Sequence, residues 1–390
     1  MPRAIAPTFG RIIDRRATAI ENRSMRILAI DMGTGTQDIL LFDSRKPVEN
    51  NIKMVMPSAT EIAARRIRRA AVAGRAVVLT GTVAGGGPCS WALEEFIAGG
   101  GRAFATPEAA QTFNDDLDRV RESGVEIIAE DEARRLDAER VVLQDLDLEA
   151  VRTALAAFEE PAGFDGLALG CLDHGAAPPD VSDRLFRFEH LKRTVSARND
   201  LLAFAAGPTD LAPYLTRALA MVNSANGEAP VAFMDTGPAA ALGALHDERV
   251  GGAEEQVVLN LGNMHLLGFH LRGRRIASLF EHHTGEMETG QMVDFTLRLA
   301  GGELTHREVF ETSGHGAYHH DRSIVAKGLP AMVAVTGPQR QRLRGTALEP
   351  YFAAPFGDMM ISGCFGLLRG FAEVYEWSGD AIEARLGPLP

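Results

Sequence analysis

From Met25 onward, short apolar runs alternate with longer amphipathic stretches, and that alternation predicts an α/β protein. The best-defined unit runs from Arg26 to Asp43. Ile27-Leu28-Ala29-Ile30 and Ile39-Leu40-Leu41-Phe42 are apolar runs of strand length, separated by Asp31-Met32-Gly33-Thr34-Gly35-Thr36-Gln37-Asp38. This reads as a β-hairpin with a Gly/Thr turn, and it places Asp31 at the end of a buried strand. Strands at 52–56, 76–80, 103–105, 125–129, 141–143 and 166–170 then alternate with helices at 61–73, 91–97, 107–122, 131–137 and 148–158. A Pro-rich loop at 176–179 and helical stretches near 183–205 and 209–221 lead into a second half. That half opens with a strand at 231–234 and repeats the strand, Gly turn, strand unit at 257–271. There Asn260 stands two residues before Gly262, as Asp31 stands two before Gly33. The repetition predicts a duplicated domain: a tail over 1–24, a first lobe over 25–205, a connector over 206–229 and a second lobe over 230–390.

The turns carry the candidate chemistry. Gly33 and Gly35 let the backbone approach a ligand closely, and successive amides form an anion-binding concavity flanked by the Thr34 and Thr36 hydroxyls. A carboxylate beside it, Asp31, can hold Mg²⁺ through water while the ion shares phosphate oxygens. Gly85-Gly86-Gly87-Pro88 is a second candidate, a strand-to-helix junction with Pro at the first helical position; a tight turn with no ligand is its alternative. No Lys-Ser/Thr follows, so it is not a Walker A loop. Histidines gather toward the C-terminal half, in Glu281-His282-His283 and in His315 to His320, both expected as loops. His282, His283 and His315 are candidate ligands for a transition metal, although neither stretch has an established zinc spacing. Asp173-His174-Gly175, at the end of a strand, is a further candidate site against an ordinary capped turn.

In order along the chain, these motifs resemble the actin, Hsp70 and sugar-kinase superfamily. The 26–43 hairpin resembles its first phosphate motif. Pro230 to Ala244, with Asp235-Thr236-Gly237, is similar to the carbohydrate-kinase segment whose Asp takes the proton from the substrate hydroxyl. Asp235 stands one residue out of that register, and a helix cap is the alternative role. The 257–271 hairpin resembles the second phosphate motif, with Asn260 and Asn263 where the family usually has Asp or Ser and Ser or Thr. Neither Asn brings negative charge for a metal. Ala331 to Gln339 resembles the adenosine motif through Thr336 and Gly337, but Pro338 replaces its second glycine and removes an amide. Asp358 to Leu368 resembles the last interdomain helix.

The resemblance implies duplicated actin-like ATPase (ribonuclease H-like) domains with a central cleft for ATP and Mg²⁺. Asp31 and Asp235 would be catalytic, and Gly33, Thr34, Gly35, Thr36, Asn260, Gly262, Asn263, Thr336 and Gly337 would bind the nucleotide. It leaves three functions open: a small-molecule kinase, an ATP-hydrolysing activator acting on a protein client, or a nucleotide-free protein with a histidine site. The pattern also resembles a bacterial and archaeal family labelled as pyruvate formate-lyase activating enzyme. That label implies radical chemistry on a cluster held by three closely spaced cysteines, whereas Cys89, Cys171 and Cys364 lie far apart.

Composition narrows the partners. With 52 acidic against 40 basic side chains the net charge is −12, which argues against a nucleic-acid footprint. No apolar run reaches bilayer-spanning length, so no membrane role is expected. Three dispersed cysteines fit a reducing cytoplasm.

Overall fold

The computed structural model describes residues 24–390 apart from Asn226, Lys327 and Leu329; the expected N-terminal tail lies outside the described residues up to Arg23. Three strands open the chain, β1 (Arg26–Met32), β2 (Thr36–Asp43) and β3 (Ile52–Pro57). Four more, β4 (Val77–Gly81), β5 (Ala103–Ala105), β6 (Val125–Ile127) and β7 (Glu139–Leu143), precede β8 (Gly166–Cys171), β9 (Ala205–Ala206) and β10 (Val231–Asp235). The rest are β11 (Gln256–Leu261), β12 (His265–Arg272), β13 (Arg275–His283), β14 (Gly316–His319), β15 (Val333–Thr336) and β16 (Tyr351–Phe352). Six helices bear on the site: α1 (Ala59–Val72), α2 (Pro88–Ala98), α3 (Asp183–Ala197), α4 (Thr216–Ser224), α5 (Thr236–Ala244) and α6 (Ser362–Val374).

Strand order reveals the duplication. The first sheet runs β3-β2-β1-β8-β10-β9 and the second β14-β13-β12-β11-β15-β16. In each, an antiparallel meander of three strands is followed by two strands added in parallel to the first: β8 and β10 onto β1, β15 and β16 onto β11. The turns match too. Gly33 N–H donates to the Thr36 carbonyl at 2.9 Å, and Gly262 N–H donates to the His265 carbonyl at 2.9 Å. The fold is therefore two ribonuclease H-like units, the actin-like ATPase arrangement expected from the sequence. A third sheet, β6-β5-β4-β7, is wholly parallel and sits as an insertion between β3 and β8, with its own core around Ile67, Leu79, Phe96 and Val141.

Both main sheets are covered on both faces, which is why β1 and β11 read as unbroken apolar runs rather than alternating ones. From β1, Ile27 and Ala29 point into a core shared with the second lobe, while Leu28, Ile30 and Met32 point into an outer core. From β11, Val258 enters the shared core and Val257, Leu259 and Leu261 enter the other. Helices α5 and α6 fill the shared core between the sheets. They can cross closely only because they carry glycine at the contact: a Cβ on Gly243 would overlap the Ser362 carbonyl, and one on Gly366 would overlap the Ala239 carbonyl.

Three expectations change. The strand expected to open the second half, β10, pairs with β8 and β9 and so completes the first sheet. Its position in the chain could not reveal that, because parallel pairing is set by distant residues. The helix expected over 107–122 is two short helices, Pro107–Ala110 and Leu117–Glu122. Neither histidine stretch is a loop: Glu281-His282-His283 ends β13, with Glu281 and His282 buried, and within His315 to His320 the residues Gly316–His319 form β14, paired to β13.

Candidate functional site between the lobes

The two Gly turns line one cavity between the lobes. Asp31, Gly33, Thr34 and Thr36 face Asn260, Gly262, Asn263, Thr336 and Gly337 across it, with Thr236, Gly237 and Arg217 alongside. The approach is close: a Cβ added to Gly35 would sit 2.5 Å from Asn263 Nδ2. The first turn is pinned from behind. Ser58, which caps α1, donates from Oγ to the Thr34 carbonyl at 2.6 Å and from its amide to the Gly35 carbonyl at 3.2 Å. Gly337 takes φ +95°, and a Cβ there would meet the Leu261 carbonyl at 2.5 Å, so this position of the turn admits only glycine.

Asp31 lies at the floor of the cavity. Thr236 Oγ1 donates to its Oδ1 at 2.6 Å, and α6 comes so near that a Cβ on Gly363 would overlap Oδ2. The β1–β2 register sets Asp31 directly across from Asp38, which also lines the cavity. Burial pushes the Asp31 carboxyl up to about 7, with Thr236 opposing and Asp235 adding to the rise. Burial pushes Asp38 up to about 8, helped by the Asp31 charge. Asp38 Oδ1 is buried with no hydrogen-bond partner among the described residues. Two carboxyls this costly to ionise form a site that a divalent cation would relieve. Asp38 was the residue that sequence reasoning passed over. The signal was there, since a turn of this length brings residues 31 and 38 face to face.

Asp235 does not join the cavity wall. It caps α5 by accepting the Gly237 amide at 3.1 Å, and its Oδ2 is paired with the guanidinium of the fully buried Arg187. Arg187 also donates to Glu281 at 3.2 Å and to the Asp173 carbonyl at 3.2 Å. Asp235 instead borders a second pocket with Asp173, His190, Thr194 and Asp210. Its placement matches a helix cap and ion-pair partner, the alternative reading of that motif. The buried pairing ties a first-lobe acid to a second-lobe acid through one cation.

The triglycine junction packs against the first turn. A Cβ on Gly87 would lie 3.2 Å from Thr34 Cγ2. Gly85 N–H donates to Asp145 at 3.2 Å and Cys89 N–H to Thr60 Oγ1 at 3.0 Å. The junction thus buttresses the β1–β2 turn.

The expected metal-ligand histidines divide. His282 turns away, with its ring nitrogens 3.0 Å from the His283 carbonyl and 3.3 Å from Thr312 Oγ1. His315 and His283 turn inward and meet two others, His174 after β8 and His265 at the start of β12. The cysteines do not converge, since Cys89, Cys171 and Cys364 are buried in three different cores. That donor set does not fit a cluster held by three cysteines. No described helix is long and apolar enough to cross a membrane.

Fold and cleft together define an actin-like ATPase-fold protein with opposed hairpin turns. The chain belongs to the family described as "Putative pyruvate format-lyase activating enzyme (DUF1786)", whose profile matches residues 84–342. Among solved structures it is similar to the ROK hexokinase of Thermus thermophilus, at 17% identity and a TM-score of 0.23 over 65% of this chain. The match spans 47% of the hexokinase chain, less than half its length. It is similar to the ethanolamine utilization protein EutJ of Carboxydothermus hydrogenoformans, at 11% identity and a TM-score of 0.30, covering 88% of this chain and 89% of that one. It is also similar to the Aquifex aeolicus PPX-GPPA enzyme, at 9% identity and a TM-score of 0.28, covering 91% and 94%. At these scores the fold assignment rests on the strand order itself. No curated protein matches the chain.

Proposed function

We propose that the cleft binds a nucleoside triphosphate with Mg²⁺ and that the protein transfers its terminal phosphoryl group to a small hydroxyl-bearing molecule or to water. One observation carries this reading: two equivalent Gly turns, one from each lobe, face a single cavity lined by the buried Asp31 and the half-buried Asp38, whose Oδ1 is buried with no partner among the described residues. The backbone turns at 33–36 and 262–263 suit phosphate oxygens. Asp31 and Asp38 suit Mg²⁺, which when bound would neutralise charge developing on the transferred group. The second turn offers only neutral Asn260 and Asn263, so the cation belongs to the first lobe. Where a nucleoside would lie, the wall is apolar, with Pro338, Met359 and Met360, and this favours packing over amide hydrogen bonds.

Binding of ATP by calorimetry with and without Mg²⁺, followed by phosphate release, tests the reading. Affinity that requires Mg²⁺ and falls in Asp31→Asn and Asp38→Asn supports it. A folded protein with no affinity for any Mg-nucleotide at millimolar concentration overturns it.

A further inference from the structure

Four imidazoles meet at one end of the interlobe cleft. His174 follows β8 in the first lobe, while His265, His283 and His315 come from β12, the end of β13 and the residue before β14 in the second. The ring centroids of His174 lie 5.2 Å from His265 and 5.5 Å from His315, and His265 and His315 are 5.2 Å apart. His283 stands beside them, 4.9 Å from His265 and 4.7 Å from His315. One nitrogen from each of His174, His265 and His315 lies within 4.8 Å of the others.

An all-imidazole cluster that is merely packed has an awkward hydrogen-bond balance. Each neutral ring carries one donor and one acceptor and needs partners for both. Yet His265 Nε2 is buried with none among the described residues. A metal takes the neutral imidazole, the form that donates a ring lone pair. The spacing fits as well. His174 Nε2 and His315 Nε2 are 3.4 Å apart, and two ligands at tetrahedral positions about 2.0–2.1 Å from Zn²⁺ are separated by about 3.3 Å.

We infer that His174, His265 and His315 form a binding site for a divalent transition cation of the Zn²⁺ class, which clamps the first lobe to the second. Imidazole donors select zinc, nickel, copper or iron over the hard Mg²⁺ suited to Asp31 and Asp38. Three protein ligands leave a fourth position for His283 or for an exogenous ligand. His265 also lines the phosphate cavity, so the two sites share a wall. The site does not depend on nucleotide binding and is tested without it.

The test takes the full chain, stripped with a chelator and checked for its folded circular dichroism spectrum. Zn²⁺ alone is titrated in competition with a chromophoric chelator, and Co²⁺ is added separately to read its visible absorption. The expected result is one ion per chain, a tetrahedral or five-coordinate Co²⁺ spectrum, and a metal-dependent rise in melting temperature. His174→Gln, His265→Gln and His315→Gln should each weaken Zn²⁺ by more than about 100-fold, beyond the 10–100-fold that outer-sphere changes produce. His282→Gln, whose ring turns away, should bind like the wild type. Should a single variant fail to fold, the wild-type melting shift and Co²⁺ spectrum still decide. A folded wild-type protein with neither, or one that binds Zn²⁺ no tighter than a folded His174→Gln/His315→Gln double variant, overturns the site and returns the histidines to packing.

Discussion

In the first lobe, the turn between β1 and β2 sets Asp31 opposite Asp38; in the second, the equivalent turn between β11 and β12 sets Asn260 opposite Leu267. Turn length, the Gly N–H to carbonyl bond and the order of five strands around each turn match, with β9 and β14 added at opposite edges. What differs is charge. The buried Asp31 and half-buried Asp38 on one side face an amide and a hydrocarbon on the other, and Leu267, which also lines the cavity, packs onto Gly237 at the start of α5. Duplication thus preserved the turn geometry, while the paired carboxyls, on which the proposed cation binding depends, stand in one copy alone. Two carboxylates on each side would leave four buried acids around one small cavity, at a repulsive cost no single divalent ion would offset.

The comparison depends on the two turns being held face to face, and the largest expected effect comes from breaking that frame. Arg187→Met leaves Asp235 and Glu281 buried without their cation, and stability should fall by about 3–5 kcal/mol. Thermal and urea unfolding check this; an unchanged melting temperature would mean the pairing contributes nothing to the lobe arrangement. Next is the charge asymmetry itself. Asp31→Asn and Asp38→Asn should each reduce Mg²⁺-dependent turnover on the order of 100-fold while leaving the fold intact. Equal losses from Asn260→Ala would erase the distinction between the lobes.

A smaller effect belongs to the second turn. Asn263→Ala should weaken nucleotide binding by about tenfold, the scale of one hydrogen bond to a charged group, with no change in Mg²⁺ dependence. A change in Mg²⁺ dependence instead would put Asn263 at the metal. The last prediction concerns neither turn but the packing around them. Burial, followed by nearby Arg187 and Arg369 respectively, pushes His190 down to about 4 and His246 down to about 3. Both are neutral in the folded protein and take up protons on unfolding once the pH drops below about 6.5. Their contribution is therefore fully present above that pH and is lost as pH falls toward 4 and 3, on the order of 1.4 kcal/mol per pH unit for each group. Denaturant midpoints between pH 7 and 4.5 measure this slope, which His246→Gln should make shallower.

The sequence by itself determined the local elements and the two hairpins. Periodicity and turn chemistry act over a few residues, so β1 to β3, the Gly turns and the small-residue helices α5 and α6 could be read directly. It also determined that Asp31 ends a buried strand. Only the tertiary structure decided that β10 belongs to the first sheet, that Asp235 is held by Arg187, and that Asp38 rather than Asp235 shares the cavity with Asp31. Only the fold decided, too, which histidines matter. His174 and His315 are 141 residues apart in the chain yet 3.4 Å apart in space, while His282 and His283 are neighbours that point opposite ways because consecutive strand residues face opposite sides of the sheet. Spacing along a chain reports contacts only within one element. A site assembled from the ends of four strands in two lobes leaves no such spacing to read.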